Sequence, residues 1–255
     1  MIAPENPPGF VVRTEAQKAA SNNGYRLDRG VKDGWFRFAS TTAKGDIWIA
    51  GASQSGPWLL SIDRPEVSAE IGLLPGSAIT GPGALTFVFD ALEGLYSALD
   101  RAYRLGLSLP DVPFANFRAA VQNLPRTTEI ERLVIQRIGQ DVFRQALMDY
   151  WGGRCPLSGI TDPALLRASH IVPWAECVTD EQRLDVHNGL LLSALWDSAF
   201  DAGLISFSDQ GNILISATLS AEAHVALGLE KPPNLRGLTS PHLRNLRWHR
   251  SRYGL

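Results

Sequence analysis

Three short runs, Trp35-Phe36-Arg37-Phe38, Asp46-Ile47-Trp48-Ile49-Ala50 and Trp58-Leu59-Leu60-Ser61-Ile62, fall within thirty residues of one another. Each is dominated by aromatic and β-branched residues, and turn-forming stretches (TTAKG, GASQSG) separate them. No helix period fits runs this short and this closely spaced, so the pattern predicts a small β-meander. Ahead of it, residues 1–24 mix Pro, Gly, Asn and charge and read as an arm with a short helix at TEAQKAA. Behind it lies a Gly/Pro-rich bridge, LLPGSAITGPGA, residues 73–84.

From Phe87 to Leu107 apolar residues recur near i, i+3, i+4 and i+7, which predicts a helix. The prolines of LSLPDVPF break it. A second helix is expected from Thr127 to Trp151, opened by threonines and Glu131 with capping chemistry and closed by Gly152-Gly153. The chain is therefore expected to be α+β. A β-rich module over 1–110 leads through a linker at 111–126 into a second module over 127–255.

In the second module, LLRASHIVP reads as a strand carrying His170 and ended by Pro173, and WAECVTDEQRLDVHNG as a loop. LLLSALWDSAFDAG reads as a helix stopped at Gly203, and LISFSDQGNILIS as a hairpin turning at Asp209-Gln210-Gly211. A short strand and a turn are expected at RCPLSG.

Composition narrows the function classes. The chain has 255 residues, 45% hydrophobic and 20% charged, which suits a packed globular fold. No apolar run reaches the roughly 20 residues of a membrane helix, and MIAPENPPGF lacks the regions of a signal peptide, so a cytoplasmic protein is expected. The two cysteines, Cys155 and Cys177, cannot make a disulfide framework and are expected as free buried thiols. Net charge is only −2, but residues 236–252 carry five arginines, two histidines and no acid. Either a solvated helix or a phosphate-binding face fits that segment.

The order of a strand bearing His, a loop ending in Asn-Gly and a helix bearing carboxylates, in "RCPLSGI…LLRASHIVPW…HNGLLLSALWDSAFDAGLISF", resembles the HNH (ββα-metal) endonucleases. The nearest likeness is to the subgroup described as predicted restriction endonucleases, over about residues 127–216. The resemblance implies a metal-dependent endonuclease that hydrolyses phosphodiester bonds of double-stranded DNA, with or without modified bases. His170 would be its general base and Asn188 the residue that ties the loop to the strand. His187 is expected at the loop surface. Two departures stand out. Trp196 occupies the point where many relatives carry a third His, and Ser169 stands where several branches have an acidic ligand. Asp197 and Asp201, one helical turn apart, are then the candidate ligands of one Mg²⁺ or Mn²⁺ and are expected to point toward His170. Asp201 has a second reading as a cap of the Ala202-Gly203 turn.

Arg244, Arg247, Arg250 and Arg252 are candidate phosphate contacts. Such a site discriminates little between sequences, so the β-rich module is the expected reader, with Lys44 and Trp48 as candidate DNA contacts. Its aromatics fit a sheet core or a pocket for an extruded base. A double-strand cut by one-site modules points to a homodimer. The alternatives are an inactive HNH fold that only binds DNA, a secreted nuclease effector, and an interaction module with no nucleic acid.

Overall fold

The computed structural model describes residues 2–72, 80–125 and 127–255. The chain divides into two compact units, 1–107 and 108–255. The first part of the Gly/Pro-rich bridge, 73–79, lies outside the described residues.

The first unit is built on one antiparallel sheet. Helix α1 (Phe10–Asn22) precedes strands β1 (Leu27–Lys32), β2 (Trp35–Ala39), β3 (Ile47–Gly51) and β4 (Trp58–Ile62). Then come helix α2 (Pro65–Glu70), strand β5 (Leu85–Phe89) and helix α3 (Leu92–Ser108), and the strands pair in chain order. The three expected strands are β2, β3 and β4. The helix expected from Phe87 is a correction. Leu85–Phe89 is a strand along β4, with Phe87 opposite Leu60, and the helix begins only at Leu92. Thr, Phe and Val in succession favour the pleated ladder, and the apolar period of the following helix overlaps them.

Register sorts the aromatics onto two faces. Phe36, Ile49, Leu60 and Phe87 form one row across the sheet, and Phe38, Ile47 and Ile62 another on the same face. Val12, Ala16, Ala19 and Ala20 of α1 are fully buried, and α1 packs on β2 and β3. The other face carries Arg37, Trp48, Ser61 and Thr86 in one row and Trp35, Ala50, Leu59 and Val88 in a cluster.

The second unit is organised by helix α5 (Glu129–Tyr150), after α4 (Asp111–Val121), which packs on it. Residues 111–121 of the stretch read as a linker thus form a helix of this unit; Arg126 is not described. A reciprocal capping box opens α5. The Glu131 amide donates to Thr128 Oγ1 (3.2 Å), and the Thr128 amide donates to the Glu131 carboxylate (2.8 Å). Its buried stripe of Gly139, Phe143, Ala146, Leu147 and Tyr150 follows the helix period. Against that stripe lies the hairpin of β6 (Leu166–His170) and β7 (Gly189–Ser193), joined by residues 171–188, which include the short helix α6 (Asp180–Leu184). Helix α7 (Ala194–Asp201) packs on both strands. Strands β8 (Ile205–Phe207) and β9 (Ile213–Ile215) form the expected hairpin, and α8 (Ala221–Ala226) and α9 (Ser240–Tyr253) complete the unit.

Two readings are corrected here. Residues 189–193 are a strand, not the first turn of a helix. Leu190, Leu191 and Leu192 are fully buried because α5 and α7 cover the hairpin from its two sides, and a run buried on both faces has no period to read. Of the strand and turn expected at RCPLSG only the turn forms, and in it Gly159 donates to the Cys155 carbonyl and Cys155 to the Ile160 carbonyl. Both cysteines are free and buried. Among the described residues no helix is long and apolar enough to cross a membrane.

Gly189 follows Asn188 as in a turn, yet its backbone is extended (φ −153°) and it pairs with His170. It is glycine for want of room. A Cβ there would stand 2.5 Å from the Phe143 ring and 2.8 Å from Leu147 Cδ1. Gly189→Ala is therefore expected to destabilise the protein by about 1–3 kcal/mol through overpacking. A urea-unfolding midpoint equal to the parent's would contradict this.

Candidate active site

His170 ends β6, and its imidazole leans toward α5. It stacks on Phe143 at 3.8 Å and 17° and meets the Trp174 ring edge-on at 5.7 Å. Nε2 lies 2.9 Å from the Arg183 carbonyl oxygen. A carbonyl can only accept, so Nε2 carries the hydrogen and the lone pair is on Nδ1. Burial lowers the pKa to about 4, only partly offset by the bond to Arg183. The ring is neutral at physiological pH.

Arg183 is itself fixed. Its guanidinium donates to the Trp174 carbonyl (3.2 Å), the Cys177 carbonyl (2.5 Å) and the Asp180 carboxylate (3.0 Å). One arginine thus gathers the 174–180 loop with its side chain and holds the imidazole with its backbone.

Asn188 is completely buried and uses both ends of its amide. Oδ1 accepts from the Val172 amide (2.9 Å), and Nδ2 donates to the Val172 carbonyl (3.1 Å), the Gln182 carbonyl (3.3 Å) and Cys177 Sγ (3.3 Å). Its carbonyl accepts from the Ile171 amide (2.9 Å). The two residues after His170 are thereby tied to the start of β7, Ile171 by the Asn188 main chain and Val172 by its side chain.

His187 is a correction. It is buried, not at the loop surface, with Nδ1 2.7 Å from Asp185 Oδ1 and its ring among Tyr150 and His242. Asp185 also accepts from the His187 amide (2.9 Å) and so builds the 3₁₀ turn that delivers Asn188.

The opposite face of β6 carries Arg167 and Ser169, next to α7. Burial pushes the Asp197 carboxyl up, and the Ser169 hydroxyl and the Arg167 guanidinium pull it part of the way back. Burial also pushes Asp201 up, as does the negative charge of Asp197. The two carboxylates are thus brought together as the i, i+4 spacing predicts, with Ser169 and Arg167 beside them. His170 contacts Phe143, Trp174 and Arg183 and no carboxylate of α7. Among the described residues no group of three or more His, Cys, Asp and Glu could hold a metal. Trp196 is buried in the unit, while Leu195 beside it is exposed.

Arg244, Arg247 and Arg252 are exposed on α9. Arg250 is spent differently. It donates to the Phe207 carbonyl and to Asp209 Oδ1, each at 2.7 Å, and pins α9 to the β8–β9 hairpin. His249 backs that joint. It stacks on Phe200 at 3.9 Å, bonds to Ser206 Oγ and the Phe200 carbonyl, and is held neutral by burial with a pKa lowered to about 4. In the first unit Trp48 is half-buried beneath Arg37, whereas Lys44 sits on the β2–β3 turn.

Arg183, Phe143 and Arg167 carry no signal that sequence reading used. The first acts through its carbonyl, the second is one more apolar residue in a helical stripe, and the third precedes the motif.

A carboxyl whose folded pKa lies above its unfolded value is penalised wherever both states are ionised. In chelator at pH 7.5, Asp197→Asn is therefore expected to raise the urea midpoint. As pH falls through the folded pKa the native state takes up the proton first, and parent and variant should converge near the unfolded value of about 3.9. A lower midpoint for the variant at pH 7.5 would refute the sign.

Residues 155–208 match the model of a family described as HNH endonuclease. No curated protein matches the chain. The matched segment takes in β6, the loop that Asn188 ties down, β7, α7 and β8, and this part of the second unit is similar to the HNH endonucleases.

Proposed function

We propose that the protein is a metal-dependent DNA endonuclease of restriction type, with His170 as general base. The observation that carries this reading is the state of His170. Inside a segment that matches the HNH endonucleases, it is neutral, oriented by the Arg183 carbonyl and left with its lone pair on Nδ1. That nitrogen can take the proton of a water attacking phosphorus. Asn188 acts on the chemistry through the loop that carries Arg183 and therefore through the aim of the imidazole.

Asp197 and Asp201 would hold the divalent cation, Mg²⁺ or Mn²⁺, together with the Ser169 hydroxyl. Two carboxylates pushed up by burial, Asp201 also by the charge of Asp197, are a hard-oxygen pair that a cation relieves. When bound, the cation supplies charge stabilisation to the phosphate and the leaving oxygen. A phosphate at the C-terminal end of β6 would have the imidazole on one side and the carboxylates on the other. Two such sites acting on opposite strands fit a homodimer.

One observation favours a second reading, an HNH fold that binds DNA without cutting it. Trp196 stands where the resemblance expects a ligand, and among the described residues no group of three or more His, Cys, Asp and Glu could hold a metal. Plasmid digestion with Mg²⁺ or Mn²⁺ separates the readings, and matched methylated, hydroxymethylated and unmodified DNA tests dependence on modified bases. His170→Ala is expected to lower cleavage on the order of 10²–10⁴-fold while DNA binding persists. Cleavage at the parental rate would remove His170 from the chemistry.

Arg244, Arg247 and Arg252 are the phosphate contacts proposed on α9. Replacing all three with Ala is expected to weaken DNA binding and to reduce the slope of log K against log salt by nearly one per lost contact. Arg250→Ala should instead lower the urea midpoint, since it removes the donor to the Phe207 carbonyl and the nearer of the two arginines at Asp209, Arg247 standing at 3.9 Å. An unchanged salt slope in the triple variant would make α9 a solvated helix.

A further inference from the structure

The first unit contains a cavity that the nuclease chemistry does not use. It opens on the sheet face opposite α1, and among the described residues its walls are Arg29–Asp33, Trp35, Arg37, Trp48 and Thr80–Pro82. Its volume is about 540 Å³, within the roughly 300–1,000 Å³ of small-molecule sites. The β1–β2 pairing shifts register between Asp28 and Val31, and Gly30 has φ +92°. The strand edge bends there and brings the Arg29–Asp33 backbone to the cavity's rim.

The lining has two kinds of surface. Trp35 is buried and Trp48 half-buried, and the Arg37 guanidinium lies 5.4 Å over the Trp48 ring. The Arg37 Nε–H donates to Asp46 Oδ2 (2.6 Å), which fixes the guanidinium in that place. The result is a flat, preorganised aromatic and guanidinium surface. Arg29 and Lys32 stand exposed at the rim, and Asp33 is the single acid among the described lining residues. A planar ring stacks on such a surface, and an anion attached to that ring meets the rim cations. A nucleobase with its phosphate has that chemistry. The volume suits one nucleotide and is too small for a duplex.

We propose that this cavity receives a single nucleobase of DNA, stacked on the Arg37–Trp48 surface with its phosphate on Arg29 and Lys32. The assignment to DNA rather than to a free nucleotide rests on the reading of the second unit as a DNA endonuclease. A base in a duplex reaches such a cavity only by leaving the stack, which costs a few kcal/mol and least at a weakened pair. The cavity therefore gives the protein a means of choosing where to cut that its phosphate contacts lack. Lys44 is not among the lining residues and has no part in this site.

The test uses the full chain carrying His170→Ala, in chelator, with fluorescently labelled duplex and single-stranded oligonucleotides and, separately, deoxynucleoside 5′-monophosphates. Trp48→Ala is expected to weaken binding of both DNA forms by about tenfold, as loss of one base stack does, and Trp48→Phe to restore most of it. Arg29→Glu with Lys32→Glu, two exposed positions that leave the sheet core untouched, should weaken it at least as much. Parental DNA affinity in the charge-reversed variant, or in a Trp48→Ala protein with a parental unfolding midpoint, would overturn the proposal. Tight monophosphate binding with DNA affinity unaffected by either variant would also overturn it, in favour of a free-nucleotide site. A protein that binds through this cavity but whose His170 form cuts no DNA would sink the nuclease reading alone. One that cuts DNA with the cavity variants binding normally would sink the cavity alone.

Discussion

The second unit depends on one carboxamide. Asn188 bonds the amide and the carbonyl of Val172 at once, two buried backbone groups just after His170, the carbonyl also accepting from the Cys177 thiol. Its remaining proton reaches the Gln182 carbonyl and Cys177, so the whole 171–188 excursion is drawn against the start of β7. No other side chain of this size offers a donor and an acceptor in that planar arrangement. An acid would lack the donor, and an apolar residue would leave the Val172 amide without its acceptor at about 1–3 kcal/mol and its carbonyl with only the weak thiol donor of Cys177. The loop could otherwise sample many conformations, and in most of them the Arg183 carbonyl would not meet the imidazole.

The same economy runs through the packing. Helix α5 approaches the hairpin closely because Gly189 has no side chain, and the closeness lets Phe143 lie flat on His170. Desolvation by that ring keeps the histidine neutral, while the Arg183 carbonyl selects its tautomer. On the far side of β6, burial works against two carboxylates, and the Arg167 guanidinium offsets only part of this at Asp197. The domain thus places two carboxylates raised by burial on one face of a strand and an oriented, uncharged imidazole on the other.

Much of this was legible in the chain. Alternating aromatics at 35–62 specified a sheet, and the capping threonines before Glu131 marked the helix start to within a residue or two. What escaped detection did so for physical reasons. β1 is a polar edge strand, LDRGVK, whose ladder partner supplies what its own sequence lacks. β7 is apolar on both sides and so resembles the helix it leads into. At the site, His170 and Asn188 were visible because their side chains do the work, whereas Arg183 contributes a main-chain oxygen that any residue possesses. The Asp197–Asp201 spacing foretold their proximity, but alternation along β6 meant that Ser169, not its neighbour His170, would face them.

The clasp made by α9 has a consequence for how the molecule comes into being. His242, Leu246 and His249 fill the interior around the 186–188 turn and β8, and Asn245 donates to the His187 carbonyl at 2.9 Å, directly beside Asn188. On a ribosome that emits residues in order, His170 emerges some seventy residues ahead of the helix that closes over its loop. A nascent chain halted anywhere in that interval presents the motif without its final support. Translation itself therefore sets the order of assembly, since the 186–188 turn gains its contacts with α9 only when almost all of this stretch has been synthesised.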